Sequence, residues 1–178
     1  MAPAKQMSNI HSVVLAAALT ALGFNAASAA ELHRAGCRMN VCSWYSIEDK
    51  DTVASNAAST LVKVTLKTWT SQHRNAAYDK KAPRVAGDTL STYYVCSKTR
   101  PAVLEAADGK WTAAFLDLHN PPGFAQTAVA QYFVVCHGFD TEVPNTSFDV
   151  AARKFGYRRM SKTPENITLD RPEEILTH

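Results

Sequence analysis

The sequence predicts a mainly β domain: a small antiparallel meander, sandwich or barrel of about six strands, with a short C-terminal helical segment. Three observations lead there. Polar and apolar residues alternate from residue 60 to 70, an Asp108-Gly109 pair separates two short β-prone runs, and turn-forming residues interrupt the chain at short intervals. Sequential strands joined by short turns make an antiparallel architecture of this kind.

The first strand falls at residues 41–47 and carries Trp44, and the polar stretch 48–59 reads as its link onward. Within residues 60–70, Val62, Val64 and Leu66 share one face and Lys63, Thr65 and Lys67 the other, the two-residue period of a half-buried strand. Residues 89–97 form the next strand, with Tyr94 and Cys96 on one side and Tyr93 and Val95 on the other, so both faces are expected to be covered. Residues 102–107 and 110–117 flank Asp108-Gly109, a pair suited to the left-handed angles of a two-residue hairpin turn. Asn120-Pro121-Pro122-Gly123 then ends regular pairing, because proline lacks an N–H and glycine admits unusual angles. The last strand is read at residues 127–137, with Phe133, Val135 and Cys136. Trp44, Trp69 and Trp111 are expected to share the core. Further on the period changes. Ser147 as N-cap, Phe148, Ala151, Ala152 and Phe155 at helical spacing, and Gly156 as a stop predict a short helix. A second helical turn is predicted from Asp170, with Pro172 in its first turn and Glu173 and Glu174 where the helix dipole favours acid.

Residues 1–30 read as a cleaved export signal. Lys5 precedes a twelve-residue apolar run at 13–24, and the small residues Ala27, Ala29 and Ala30 suit a cleavage site. The run falls short of the roughly 20 residues that cross a bilayer, so no transmembrane segment is expected. Residues 31–178 are expected to form a single disulfide-bearing β-rich domain with a partly helical tail from about residue 145. Its location would be periplasmic or secreted. Ala35-Gly36-Cys37 resembles the end of a bacterial lipobox, but Arg34 stands where that motif takes an aliphatic residue and Cys37 lies too far beyond the apolar run.

The cysteines are Cys37, Cys42, Cys96 and Cys136, which allow three pairings. Cys37 with Cys42 and Cys96 with Cys136 is favoured, since the first two can meet across a turn and the second two lie in separate strand-like segments. An oxidising compartment favours disulfides over a metal held by Cys37, Cys42 and His33, so no metal or other cofactor is expected.

Lys and Arg number 19 against 16 Asp and Glu, a formal balance of +3 that is too mild for a general nucleic-acid binder. The serine-hydrolase elbow, the P-loop, the dinucleotide glycine pattern and the zincin helix do not occur in the sequence, and no catalytic residue is assigned. Asp117 and His119, two apart at a strand end, are the pair best placed for acid–base work, and a polar loop edge accounts for them equally well. The candidate ligand-binding residues are Arg153, Lys154, Arg158 and Arg159. With Lys162 they place five cations in ten residues, interleaved with Phe155 and Tyr157. The acidic tail, Glu165, Asp170, Glu173 and Glu174, offers those cations an internal partner.

The leading expectation is a non-enzymatic exported binding or envelope-associated module, its partner a cell-envelope component or another exported protein. One alternative is an inhibitor of an exported hydrolase such as lysozyme, acting through the loop near residues 120–123. The other is a small hydrolase using Asp117 and His119.

Overall fold

The structure is a computed structural model that describes residues 31–141 and 146–178, so the export-signal reading at 1–30 lies outside the described residues. Among the described residues seven strands form one antiparallel sheet in simple sequence order: β1 (Leu32–Arg38), β2 (Val41–Ser55), β3 (Ser59–Gln72), β4 (Arg84–Ser97), β5 (Ala102–Ala107), β6 (Lys110–Phe115) and β7 (Ile167–Leu169). The result is an open meander, not a closed barrel. The helices α1 (Gln126–His137) and α2 (Phe148–Lys154) accompany it, with 3₁₀ turns at Arg74–Ala76, Gly123–Ala125 and Pro172–Thr177.

β1 escaped the sequence reading because its hairpin lacks the usual glycine. Met39 and Asn40 both adopt left-handed angles, φ 49° and 64°, and the two-residue turn sets Cys37 directly opposite Cys42, where they form a disulfide. The stretch taken as a link after residue 47 is instead the second half of β2. Irregularities after Ile47 and after Thr52 shift its register and hide the alternation, and its solvent exposure makes it polar. It turns at Asn56, whose Oδ1 accepts from the backbone N–H of Ala58 and of Ser59, each at 2.8 Å. The β5–β6 hairpin forms at Asp108 and Gly109, with φ 51° and 75°.

Residues 127–137, read as the last strand, belong to α1. The run is apolar almost throughout, and a continuous apolar run does not distinguish a buried strand from a buried helix. Its surroundings decide. Val129, Tyr132, Phe133 and Cys136 recur at helical spacing, and Cys136 is bridged to Cys96 of β4, so that disulfide joins a helix to a strand. Gly138, at φ 60°, ends the helix by donating its N–H to the Val134 carbonyl. The predicted tail helix is α2, capped by Ser147 accepting from the Val150 N–H. The predicted turn at Pro172 is 3₁₀.

The sheet buries apolar side chains on both faces. On one, Tyr45, Val62, Val64, Leu66, Tyr94 and Val103 pack under α1 and α2. Each such side chain taken fully out of water contributes roughly 1.5–3 kcal/mol. On the other face, Leu61, Val95, Leu104, Ala113 and Phe115 pack beneath Ile175 of the C-terminal turn. Trp44, Trp69 and Trp111 do not share a core. All three lie half-exposed, and Trp44 and Trp69 stand at the far end of this second face, which the C-terminal turn does not reach.

Candidate functional site

Paired residues of an antiparallel sheet present their side chains on the same face. At the far end of the second face one row reads Cys37, Cys42, Ser71, Arg84 across β1 to β4, and the next reads Arg34, Trp44, Trp69, Ala86. Residues 73–83, which connect β3 to β4, wall one side of this surface. Arg34, Trp44, Tyr78, Lys80, Lys81 and Arg84 thereby line a cleft of about 570 Å³.

Two cations of this surface lie against the indoles. The Arg84 guanidinium lies 4.3 Å from the centre of the Trp44 ring, and the Lys67 ammonium 5.6 Å from that of Trp69. A guanidinium stacked in this way keeps its fork of donors and loses little freedom when it meets a carboxylate, phosphate or sulfate. Among the described residues Lys67, Lys80, Lys81 and Arg84 make no salt bridge. Among the described residues Asp79 is the one carboxylate lining the cleft.

Beneath the cleft runs a buried hydrogen-bond chain. Trp44 Nε1 donates to Ser71 Oγ at 2.8 Å, Ser71 Oγ donates to His73 Nε2 at 2.9 Å, and His73 Nδ1 donates to the Ala77 carbonyl at 3.1 Å. The order is that of an activated serine. Ser71, however, is only 1% exposed and already accepts the indole N–H, so the chain orients Trp44 and the root of the 73–83 loop. Asn40 secures the loop from the β1–β2 turn. Its carbonyl accepts from His73 N–H at 2.6 Å, its Oδ1 from Ala76 N–H at 2.9 Å, and its own N–H donates to the Tyr78 hydroxyl at 3.2 Å.

The cations singled out in the sequence lie elsewhere. Arg153 and Arg159 both pair with Asp149, a residue that precedes the basic run and also accepts His119 Nδ1 at 2.8 Å. Lys154 lies over the Phe139 ring, 4.1 Å from its centre, and Arg158 is exposed beside His119 and Tyr157. Of the acidic tail, Glu165 reaches Lys162, whereas Asp170 pairs with Lys110 and Glu174 with Arg171. Asp117 and His119 do not work together through their side chains. Asp117 Oδ1 caps the turn by accepting the N–H of His119 and of Asn120, and both His119 ring nitrogens are engaged, Nδ1 with Asp149 and Nε2 with the Tyr157 carbonyl at 3.2 Å.

His137, at the end of α1, stacks on Phe155 with ring centres 4.1 Å apart and accepts from the Tyr157 hydroxyl at 2.8 Å. Burial, then the nearby Lys98 and Lys50, lowers its pKa to about 4, so it is neutral at physiological pH. The Tyr157 hydroxyl in turn meets that of Tyr132 at 2.9 Å, and burial raises the pKa of both phenols.

Cleft cations from two separate strands and a loop escaped the sequence reading because no window of the chain contains them together. The local signal was Tyr78-Asp79-Lys80-Lys81 followed by Arg84. Among the described residues no three His, Cys, Asp or Glu side chains group to hold a metal ion, and the donors of the cleft are those that receive anions. No known protein family, curated protein or solved structure matches this chain. The two disulfides are compatible with an exported or extracellular protein, and no helix among the described residues is long and apolar enough to cross a membrane.

Proposed function

We propose that this protein is an exported, non-enzymatic binding module that captures an anionic ligand, a component of the cell envelope, in the cleft of β1 to β4. The observation that carries the reading is the Arg84 guanidinium stacked on Trp44 among Arg34, Lys80 and Lys81. An exposed ion pair alone is worth about 0.2–1 kcal/mol. Several charge-assisted hydrogen bonds from ordered donors, at roughly 1.5–3 kcal/mol each, reach affinities between millimolar and micromolar.

The test is calorimetric titration of the disulfide-bonded protein with trigalacturonate and with uncharged maltotriose. Binding of the uronate alone is expected, weakened at least about tenfold by the Lys81→Ala/Arg84→Ala pair. The variant lacking Arg153, Lys154, Arg158 and Arg159 is expected to bind like the wild type. Binding lost in that variant and kept in the cleft variant would move the site to the tail.

A second reading, inhibition of an exported hydrolase, has one observation in its favour. Phe124 is 91% exposed directly after Pro121-Pro122-Gly123, a loop stiffened by its prolines and by the Asp117 cap, and so presents an apolar wedge. Inhibition of a lysozyme that disappears in Phe124→Ser would establish it, and uninhibited lysozyme would dismiss it.

A further inference from the structure

We infer that the ligand is a linear chain of acidic sugars, not a single small anion, and that it continues from the cleft onto a second subsite formed by Trp69 and Lys67. This deepens the binding reading above and presupposes it. Trp44 and Trp69 are direct partners on adjacent strands, whose axes lie about 4.8 Å apart, so the two indoles follow one another across the sheet. Each is accompanied by its own cation, Arg84 for Trp44 and Lys67 for Trp69. The surface thus repeats a unit of one aromatic ring and one positive charge. A uronate chain repeats the complementary unit of one sugar ring and one carboxylate.

The next strand leaves this track open. Beside Trp69, β4 contributes Ala86, whose methyl group is too short to stand over the indole. At Gly87 a Cβ would lie 2.7 Å from Thr68 Oγ1, on the face opposite the indoles, and that hydroxyl donates to the Asp88 carbonyl at 2.8 Å. Gly87 falls within the irregularity where the β3–β4 register shifts between Lys67 and Trp69. A lone anion would be satisfied within the cleft and would leave the Trp69–Lys67 pair unused. A neutral glycan would leave the cations unmatched.

The experiment measures the dissociation constants of galacturonate, trigalacturonate and hexagalacturonate, with maltohexaose and hexathymidylate alongside, for the wild type, Trp69→Ala and Lys67→Ala. Lys67→Ala removes an exposed charge outside both cores, so it reads the subsite even if Trp69→Ala perturbs folding. The expected result is a gain of about tenfold or more from monomer to hexamer in the wild type, lost in both variants while monomer affinity is unchanged. Equal affinity for monomer and hexamer, or a length gain that survives both substitutions, would overturn the second subsite and leave the cleft standing. Tighter binding of hexathymidylate or of maltohexaose would overturn the acidic-sugar assignment. Absence of binding by every galacturonate and by hexathymidylate would overturn the cleft reading itself.

Discussion

His137 and Asn40 each connect parts of the chain that are distant in sequence. The unfolded His137 ring titrates near 6.5, whereas the folded ring, lowered chiefly by burial, titrates near 4. Between these values the unfolded chain takes up a proton that the folded one refuses. This contribution to stability is therefore complete above about pH 6.5 and is lost as pH falls through the folded value. His137→Gln retains an acceptor for the Tyr157 hydroxyl and does not titrate. Thermal melts are expected to show a shallower fall in Tm between pH 6.5 and 4 for this variant than for wild type; an identical slope would place the acid sensitivity in other groups. Asn40→Ala removes the acceptor of the Ala76 N–H and leaves a left-handed alanine, at a cost of about 1–2 kcal/mol. Because Asn40 also anchors the loop bearing Tyr78, Lys80 and Lys81, uronate affinity is expected to fall with it. Unchanged affinity alongside the lower Tm would mean that the loop does not contribute to binding. Neither role was legible beforehand, since His137 was assigned to a strand and Asn40 acts on residues some 36 positions away.

At the scale of elements, the two disulfides differ in what they constrain. Cys96–Cys136 closes forty residues and fastens α1 to β4, and in the chain-entropy account it is worth roughly 4 kcal/mol. Cys37–Cys42 closes a five-residue separation within one hairpin and is worth roughly 2 kcal/mol on the same account. Guanidinium unfolding is expected to show the larger midpoint loss for Cys96→Ala/Cys136→Ala, and the reverse order would refute the entropic ranking. The alternation in β3 and the Asp108-Gly109 turn were readable because each is a local pattern with a local cause. α1 was not, because its apolar residues occupy most of its circumference. Only the sheet beneath it and α2 beside it select the helical spacing.

The whole molecule is a sheet covered on one face by helices and on half of the other by its own C-terminal turn. Pro172 and Ile175 are buried in that turn, and Ile175 closes the core of Leu61, Val95, Leu104 and Phe115. Removing residues 171–178 would uncover this core. The expected loss of stability is about 2–5 kcal/mol, with binding of a hydrophobic dye, both measurable by denaturation and fluorescence. A truncated chain as stable as the full one would show the turn to be dispensable. The C-terminal turn does not extend over the Trp44–Trp69 end of this face, where the candidate site lies. Uronate binding there is expected to weaken steeply with added salt, since the cleft contacts are exposed charges; salt-independent affinity would contradict the electrostatic account.

The sequence by itself determined the antiparallel β class, the principal hairpin, the amphipathic β3 and the short capped helix at Ser147. It also favoured the pairing of cysteines that the structure contains, because each of these depends on neighbours along the chain. The tertiary structure decided that residues 127–137 are helical and that the sheet stays open. It also decided that Arg153 and Arg159 of the basic tail are engaged by Asp149 while cations distant in sequence gather around Trp44 and Trp69. These outcomes depend on which surfaces meet, and burial and charge pairing between distant segments are set only when the chain has folded.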